Sequence, residues 1–186
     1  LIENLVPFTG TLEINANELS HTFSATANGF VGDFTAINCN GAAVAGSLSI
    51  SQNTFSALNF ASGGNGAVAF IKNNDNPLSV TINNNIWSAL QLNQSGVHTL
   101  IRNNAVQNVL SVSNNSIIGG YQITSAGGGF AAYISGTGTN QQSSQVISNN
   151  DFSSITATLS GFGSFYGIYS KDAAADKTII GNRFSA

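Results

Sequence analysis

Charged side chains are scarce in this sequence: Asp, Glu, Lys and Arg make up 7% of its 186 residues, against about 25% in ordinary globular proteins. Only five residues are Lys or Arg, and the formal net charge is −3. Binding to nucleic acid requires a row of cations that neutralise phosphates. The composition therefore argues against a nucleic-acid partner.

Cysteine is nearly absent, since Cys39 is the single one in the chain. One cysteine excludes an internal disulfide. Together with two distant histidines, His21 and His98, it also falls short of a zinc site. We therefore expect no metal and no cofactor, and the simplest role for Cys39 is that of a small buried or turn residue.

Long apolar runs are also missing. No stretch approaches the length of about 18 apolar residues that a membrane-spanning helix needs, so no membrane span is expected. Methionine is absent, and the chain has no ladder of oppositely charged residues four apart that would support helices. We expect a chain that is almost entirely β. Because it begins at Leu1 without a signal or transit peptide, we also expect a processed or trimmed product.

The chain does contain a repeat, and its clearest copy runs from Leu48 to Phe55. There, apolar residues alternate along a short strand and are followed by an Asn, a spacer and an aromatic residue. Periods of 20–50 residues are typical of solenoids and arrays. The Asn of this pattern returns every 30–36 residues, at Asn17, Asn53, Asn85, Asn115, Asn150 and Asn182.

Each period holds three strand signals separated by turns rich in Gly, Ser and Asn. Helical solenoids do not fit the composition, and a propeller blade needs about 40–45 residues. The pattern therefore predicts an all-β fold, a right-handed single-stranded parallel β-helix (a β-solenoid). We expect about five to six coils of about 32 residues, with three short strands per coil. Residues 1–186 would form a single β-helix domain.

Equivalent positions of successive coils should lie directly above one another and form columns of side chains inside the solenoid. Burial of each large apolar side chain contributes about 1.5–3 kcal/mol, so such columns would make up the core. An aliphatic column is predicted from Ile14, Ile50, Ile82, Val112, Ile147 and Ile179. A second, mostly aromatic column is predicted from Leu19, Phe55, Trp87, Ile117, Phe152 and Phe184.

The repeated Asn precedes the second column, where one strand bends into the next. Asn tolerates the left-handed backbone that such a bend needs. Its amide can also bond to the Asn of the coils above and below, as in stacked Asn ladders. We therefore expect the repeated Asn residues to point inward and to form a structural ladder.

The segments Ile82-Asn-Asn-Asn85-Ile-Trp87 and Val112-Ser-Asn-Asn115-Ser-Ile117 resemble the repeat of the right-handed parallel β-helix superfamily, the pectin-lyase-like fold. The resemblance covers essentially the whole chain, but it concerns the fold. Members include lyases, hydrolases, phage tailspikes and adhesins, so the resemblance implies no single activity.

Catalysis is not expected within this chain. The resemblance implies a tandem Asp pair with Gly-His-Gly and Arg-x-Lys for the hydrolases, and an Asp cluster with an Arg base for the lyases. None of these occurs here. Asp75 and Asp172 follow equivalent strands but lie three coils apart, about 14 Å at the spacing of stacked strands.

Four residues are candidates for surface binding. Lys72, Arg102 and Lys171 follow equivalent strands and could form a cationic strip that holds acidic sugars or a neighbouring subunit. Alternatively, they are a solvated edge that resists lateral aggregation. Tyr133 is the fourth candidate, and tyrosines are concentrated in the later coils. Alternation places Tyr133 and Ile134 on opposite faces, so we expect some tyrosine rings outside, where they can stack on sugars.

These observations favour an extracellular structural or adhesive β-helix protein, secreted or at the cell surface, without catalytic activity. A surface fibre, an adhesin stalk and a filament subunit all fit, and adhesins and surface fibres fit better than the enzymes of the superfamily. The expected partners are further β-coils, either a second copy stacked end to end or flanking coils. The alternative is a protein that binds or cleaves surface polysaccharide, such as a pectate-lyase-like enzyme or a phage tailspike.

Overall fold

A computed structural model of the chain describes residues 1–23, 32–41, 45–105, 107–123, 128–135, 141–157 and 163–185. These residues form three parallel β-sheets, here named A, B and C, which the chain visits in turn. Within this described part, no helix is long and apolar enough to cross a membrane.

The strands of each sheet come from successive coils. Sheet A contains β1 (Ile2–Asn4), β4 (Phe34–Cys39), β7 (Val68–Asn73), β10 (His98–Asn103), β13 (Phe130–Ser135) and β17 (Phe165–Ser170). Sheet B contains β2 (Thr11–Asn15), β5 (Ser47–Ser51), β8 (Ser79–Asn83), β11 (Val109–Ser113), β14 (Gln141–Ser148) and β18 (Ala173–Ile180). Sheet C contains β3 (Glu18–Phe23), β6 (Thr54–Gly64), β9 (Ile86–Gln94), β12 (Ser116–Ile123), β15 (Asp151–Phe152), β16 (Ile155–Ala157) and β19 (Arg183–Phe184).

Every strand pairs in parallel with a strand of a neighbouring coil. In sheet B, for example, Ile14 pairs with Ile50, and Ile50 pairs with Ile82. This is the order of a β-solenoid with three strands per coil, so the predicted all-β solenoid of about five to six coils is confirmed. Because the register is kept from coil to coil, side chains of equal sequence position do stack in columns.

The Asn ladder lies at the bend between sheets B and C. In each step, the backbone N–H and the Nδ2 of one Asn both donate to the Oδ1 of the next. For Asn85 and Asn115 these distances are 3.0 and 2.9 Å. Asn85 Nδ2 also donates to the carbonyl oxygen of Ile50, at 3.0 Å. The same contacts link all the predicted positions, which are Asn17, Asn53, Asn85, Asn115, Asn150 and Asn182.

The left-handed backbone at this bend belongs to a different residue from the one predicted. The positive φ angles fall on the residue that precedes each ladder Asn, for example 54° at Asn84 and 55° at Asn114. At the equivalent places, Ala16, Gln52, Asn149 and Gly181 adopt the same conformation. The ladder Asn is therefore required for its buried amide, and the exposed residue before it makes the turn.

The two predicted columns occupy the core between the sheets. Ile50, Ile82, Val112 and Ile147 are each 0% exposed, and the ring of Trp87 stacks on that of Phe55, with centroids 5.4 Å apart. The columns open at the last rung of the described coils, where Ile179 is 49% and Phe184 is 41% exposed. Phe184 therefore continues the aromatic column, in contact with Phe152, without being buried.

His98 is the one buried histidine among the described side chains, and it faces the core from sheet A. Its Nε2 lies 3.0 Å from the carbonyl oxygen of Gln94, and its Nδ1 lies 3.3 Å from the hydroxyl of Tyr121. A neutral imidazole satisfies both contacts, with Nε2–H donating and Nδ1 accepting. Burial accordingly lowers the pKa of His98 from 6.5 to about 4.

We therefore expect the stability of the fold to fall as the pH drops from about 6.5 towards 4. The unfolded chain binds a proton at His98 over this range while the folded chain does not, so stability is lost by at most about 1.4 kcal/mol per pH unit. Urea unfolding of the wild type and of His98→Gln, compared between pH 7 and pH 5, measures this effect. An equal pH dependence of the two proteins would contradict it.

Candidate functional site

The outer face of sheet A brings two of the candidate cations together. Lys72 and Arg102 are register partners on neighbouring strands, so their side chains leave the sheet side by side, about 4.8 Å apart at the backbone. Arg102 is exposed, and its Nε donates to Oδ1 of Asn104 at 3.3 Å. The same column continues through Ile134 to Tyr169.

Lys171, the third candidate cation, is not equivalent to the other two. The register places Tyr169, not Lys171, in the column of Lys72 and Arg102. Lys171 follows β17, and its Nζ lies 5.0 Å from the centre of the Tyr169 ring. A cation at this distance from an aromatic ring is attracted by its π face. Lys171 therefore joins the same face from the turn beyond the strand.

Tyr133 is in the core, so the expectation that it offers a surface ring is wrong. Its side chain is 0% exposed, and burial raises the pKa of Tyr133 well above its ordinary value. Strict alternation fails in this strand because Ala132 and Tyr133 are both buried and Ile134 points outward. The same departure from alternation recurs in the earlier strands of sheet A, where Ile37, Ile71 and Ile101 occupy the inward column that Tyr133 continues.

Two other tyrosines, Tyr166 and Tyr169, lie on the outer face of sheet A, where Tyr166 is exposed and Tyr169 is half-buried. They stack on each other with centroids 4.7 Å apart and an angle of 28° between the ring planes. Tyr166 is 41% exposed. We call the surface formed by Lys72, Arg102, Ile134, Tyr166, Tyr169 and Lys171 the tyrosine–cation face.

The cations of this face have no carboxylate partner among the described residues. In that part of the chain, the ion pair is formed by Arg183 and Asp151, at 2.9 Å, outside this face. The nearest acid in the column is Glu3. Asn38 lies between Glu3 and Lys72, and the Nδ2 of Asn38 donates a hydrogen bond to Glu3 at 2.7 Å. An acidic protein therefore carries a local patch of uncompensated positive charge.

The turn from sheet A to sheet B covers a buried polar cluster that the sequence pattern did not reveal. Asn73 donates to Asn103 at 2.8 Å, forming a second, shorter Asn ladder. Asp75 is also fully buried, and one of its carboxylate oxygens accepts a hydrogen bond from Asn4 at 3.2 Å. Burial and the nearby Asp75 raise the pKa of Cys39 to about 12. Cys39 is thus a buried, protonated thiol, as expected of a small buried residue.

A second buried polar cluster lies in the later coils. Gln145 occupies a position that is Leu110 one coil earlier, yet it is 0% exposed. Its Nε2 donates to Asp172 at 3.1 Å, and its Oε1 accepts from Ser170 at 2.8 Å. Lys177 Nζ donates to the same Ser170 at 3.0 Å. These contacts pair Gln145 with one oxygen of Asp172 inside the solenoid and give the cluster a structural role. The other oxygen, Oδ1 of Asp172, is buried without a hydrogen-bond partner among the described residues.

Among the described residues, no group of three or more His, Cys, Asp or Glu side chains could hold a metal ion. The buried Asp75 and Asp172 lie at equivalent positions three coils apart, as expected. End-to-end association with further coils stays a prediction. Comparisons with protein-family models, with curated proteins and with solved structures find no match to this chain.

Proposed function

We propose that this chain is an extracellular structural and adhesive β-solenoid of the pectin-lyase-like class that holds an acidic polysaccharide on its tyrosine–cation face. The observation that carries the proposal is the alignment of Lys72, Arg102 and the stacked Tyr166–Tyr169 pair on one side of sheet A. A tyrosine pair alone would fit many apolar partners. Its combination with unpaired cations favours a ligand that is both cyclic and anionic.

The two neighbouring cations favour a ligand with repeated negative charge. Lys72 and Arg102 repel each other at the strand spacing, and an anion placed between them relieves that repulsion. A guanidinium group can bind a carboxylate or a sulfate through two parallel hydrogen bonds. The Nε contact with Asn104 orients this group without neutralising it.

The stacked tyrosines favour a sugar ring as the unit that carries the charge. Tyrosine presents an apolar ring face together with a polar hydroxyl, which suits the C–H face and the hydroxyls of a pyranose. Lys171 over Tyr169 adds a cation at the edge of the same platform. Ile134 lies between the tyrosines and Arg102 in the column and contributes apolar surface.

The spacing favours a polymer over a single sugar. Tyr169 and Arg102 lie two strands apart in the sheet, which is about 10 Å along the solenoid axis. Lys72 lies one strand further. A ligand that contacts all three must extend along the axis, as a polysaccharide chain can.

Adhesion accounts for these residues more simply than cleavage does. Glycoside hydrolysis requires two carboxyl groups about 5–10 Å apart beside the substrate. Asp75 and Asp172 are both buried under the turn from sheet A to sheet B and lie three coils apart, so these two cannot form that pair. Release of reducing ends from the bound polymer would instead favour the alternative function, a polysaccharide-cleaving enzyme.

We expect Arg102→Gln and Tyr169→Ala each to weaken binding to polygalacturonate by about ten-fold, the equivalent of about 1.4 kcal/mol. Arg102→Gln removes a charge contact and Tyr169→Ala removes the stacking platform. Affinity electrophoresis or calorimetry at low salt measures both, and binding of the wild type should weaken as salt is added.

Arg183→Gln is the matched control because it removes the same charge from sheet C, outside the tyrosine–cation face, where Arg183 pairs with Asp151. It should bind the polymer as the wild type does. An equal loss in all three variants would indicate unspecific attraction of a polyanion. Absence of binding to carboxylated and sulfated polysaccharides alike would overturn the proposed function.

A further inference from the structure

A groove of about 340 Å³ lies on the outer face of sheet C. It is lined by three polar residues, Gln91, Gln122 and Thr156, here called the polar wall, and by Ala89, Leu90, Gly119, Gly120 and Tyr121. None of the residues that line it carries a charge. The groove shares no residue with the tyrosine–cation face.

The groove exists because the strands of sheet C bend in the middle. Ala57 and Ala89 adopt positive φ angles of 50° and 51°, and Gly119 and Gly120 adopt 70° and 91°. In β12 the register shifts between Ile118 and Tyr121, which marks a β-bulge. A glycine within a strand often marks a bulge, a tight bend, or a place where a ligand or another backbone approaches closely. Here it marks the bulge, and the space where a Cβ of Gly120 would lie is open.

The polar wall is built for hydrogen bonding with neutral groups. Gln91 pairs in register with Gln122, and Gln122 pairs with Thr156, so two amides and a hydroxyl stand in one column. Both glutamines are exposed, and neither makes a side-chain hydrogen bond with the residues that the structure describes. Each amide offers two donors and an acceptor. Ile118 precedes the bulge on β12, and its side chain is 49% exposed.

We propose that this groove binds a neutral glycan, whose hydroxyls would bond to Gln91, Gln122 and Thr156. Amides that both donate and accept fit sugar hydroxyls, and the uncharged lining disfavours an acidic polymer or a nucleic acid. An added peptide strand is disfavoured, because β12 already pairs with β9 on one side and with β15 and β16 on the other, which leaves no free edge for it.

The test uses a pair of matched substitutions at left-handed alanines. Asn is favoured over other non-glycine residues in this conformation, so Ala89→Asn and Ala57→Asn should both fold. The Asn at position 89 fills the groove, whereas the one at position 57 lies outside its lining. Far-UV circular dichroism and thermal melting confirm the folding of both variants.

The probes are cello-, malto-, laminari- and galacto-oligosaccharides, titrated by calorimetry or by NMR. We expect at least one of them to bind the wild type and Ala57→Asn alike, and to bind Ala89→Asn more weakly by about ten-fold or more. Gln122→Ala removes an amide without adding volume, and it should weaken the binding of the same glycan by several-fold.

The proposal is overturned if none of these oligosaccharides binds, or if Ala89→Asn and Gln122→Ala bind as well as the wild type. Arg102→Gln separates this groove from the proposed adhesive face. Arg102→Gln should leave the binding of neutral glycans unchanged and weaken the binding of polygalacturonate. Loss of both kinds of binding in Arg102→Gln would mean that the groove is not a separate site.

Discussion

Asn85→Ala is expected to lower the free energy of unfolding by about 4 kcal/mol. The Asn85 side chain donates to Ile50 and Asn115 at 3.0 and 2.9 Å, and its Oδ1 accepts the backbone N–H and the Nδ2 of Asn53, at 3.1 and 3.0 Å. Alanine leaves the carbonyl of Ile50 and the backbone N–H of Asn53 buried without partners. Each such group costs about 1–3 kcal/mol.

Thermal melting followed by far-UV circular dichroism measures the effect, which should lower the Tm by about 10 °C in a chain of this size. Asn84→Ala is the matched control at the neighbouring position. Asn84 is exposed and left-handed, and alanine already adopts this conformation at Ala16 and Ala89. We expect Asn84→Ala to lower the free energy of unfolding by only about 1 kcal/mol. Equal losses in the two variants would contradict a ladder that depends on the buried amide.

Trp87→Ala is expected to cost about 3–5 kcal/mol, the usual range for truncation of a large buried aromatic side chain. Trp87 is 0% exposed and lies at the centre of the aromatic column. It stacks on Phe55 at 5.4 Å and meets Phe70 and Phe152 edge-on, with centroids 6.3 Å away in both cases. Alanine would leave a cavity between coils whose backbone spacing is fixed by the hydrogen bonds of the ladder. Urea unfolding measures the loss.

Trp87→Phe separates packing from polar contacts at the same position. The indole N–H is buried without a hydrogen-bond partner among the described residues, so its removal loses no hydrogen bond. Phenylalanine already occupies this column at Phe55 and Phe152. We expect a cost of about 1–2 kcal/mol. A loss as large as that of Trp87→Ala would mean that the indole contributes more than packing.

The repeat made the architecture predictable from the sequence. In a solenoid, residues that touch across coils are separated by one period, so the pattern of Ile50, Asn53 and Phe55 already states which side chains meet. The columns through Ile82 and Trp87 and the ladder through Asn85 follow from that period and from strand spacing alone. Burial in the middle coils agrees with both.

The sites on the surface were less predictable because they depend on departures from the regular pattern. Tyr133 lies inward because the strands of sheet A bury successive residues, and it continues the inward column of Ile71 and Ile101. Tyr169 took the place in the outer column where the sequence predicted Lys171. The groove on sheet C arises from the bulge between Ile118 and Tyr121. Strict alternation of inward and outward side chains along a strand does not encode such changes in backbone direction.

The sequence by itself therefore determined the solenoid, its three strands per coil and the identity of the buried ladder. Only the tertiary structure decided which residue makes the left-handed turn beside Asn85, that Gln145 pairs with Asp172 inside the solenoid, and which rings stand beside Arg102. The physical reason is the range of the interactions. The ladder and the columns repeat the same side chains between neighbouring coils, whereas the binding faces depend on bulges within sheet C and on the particular side chains that single coils supply.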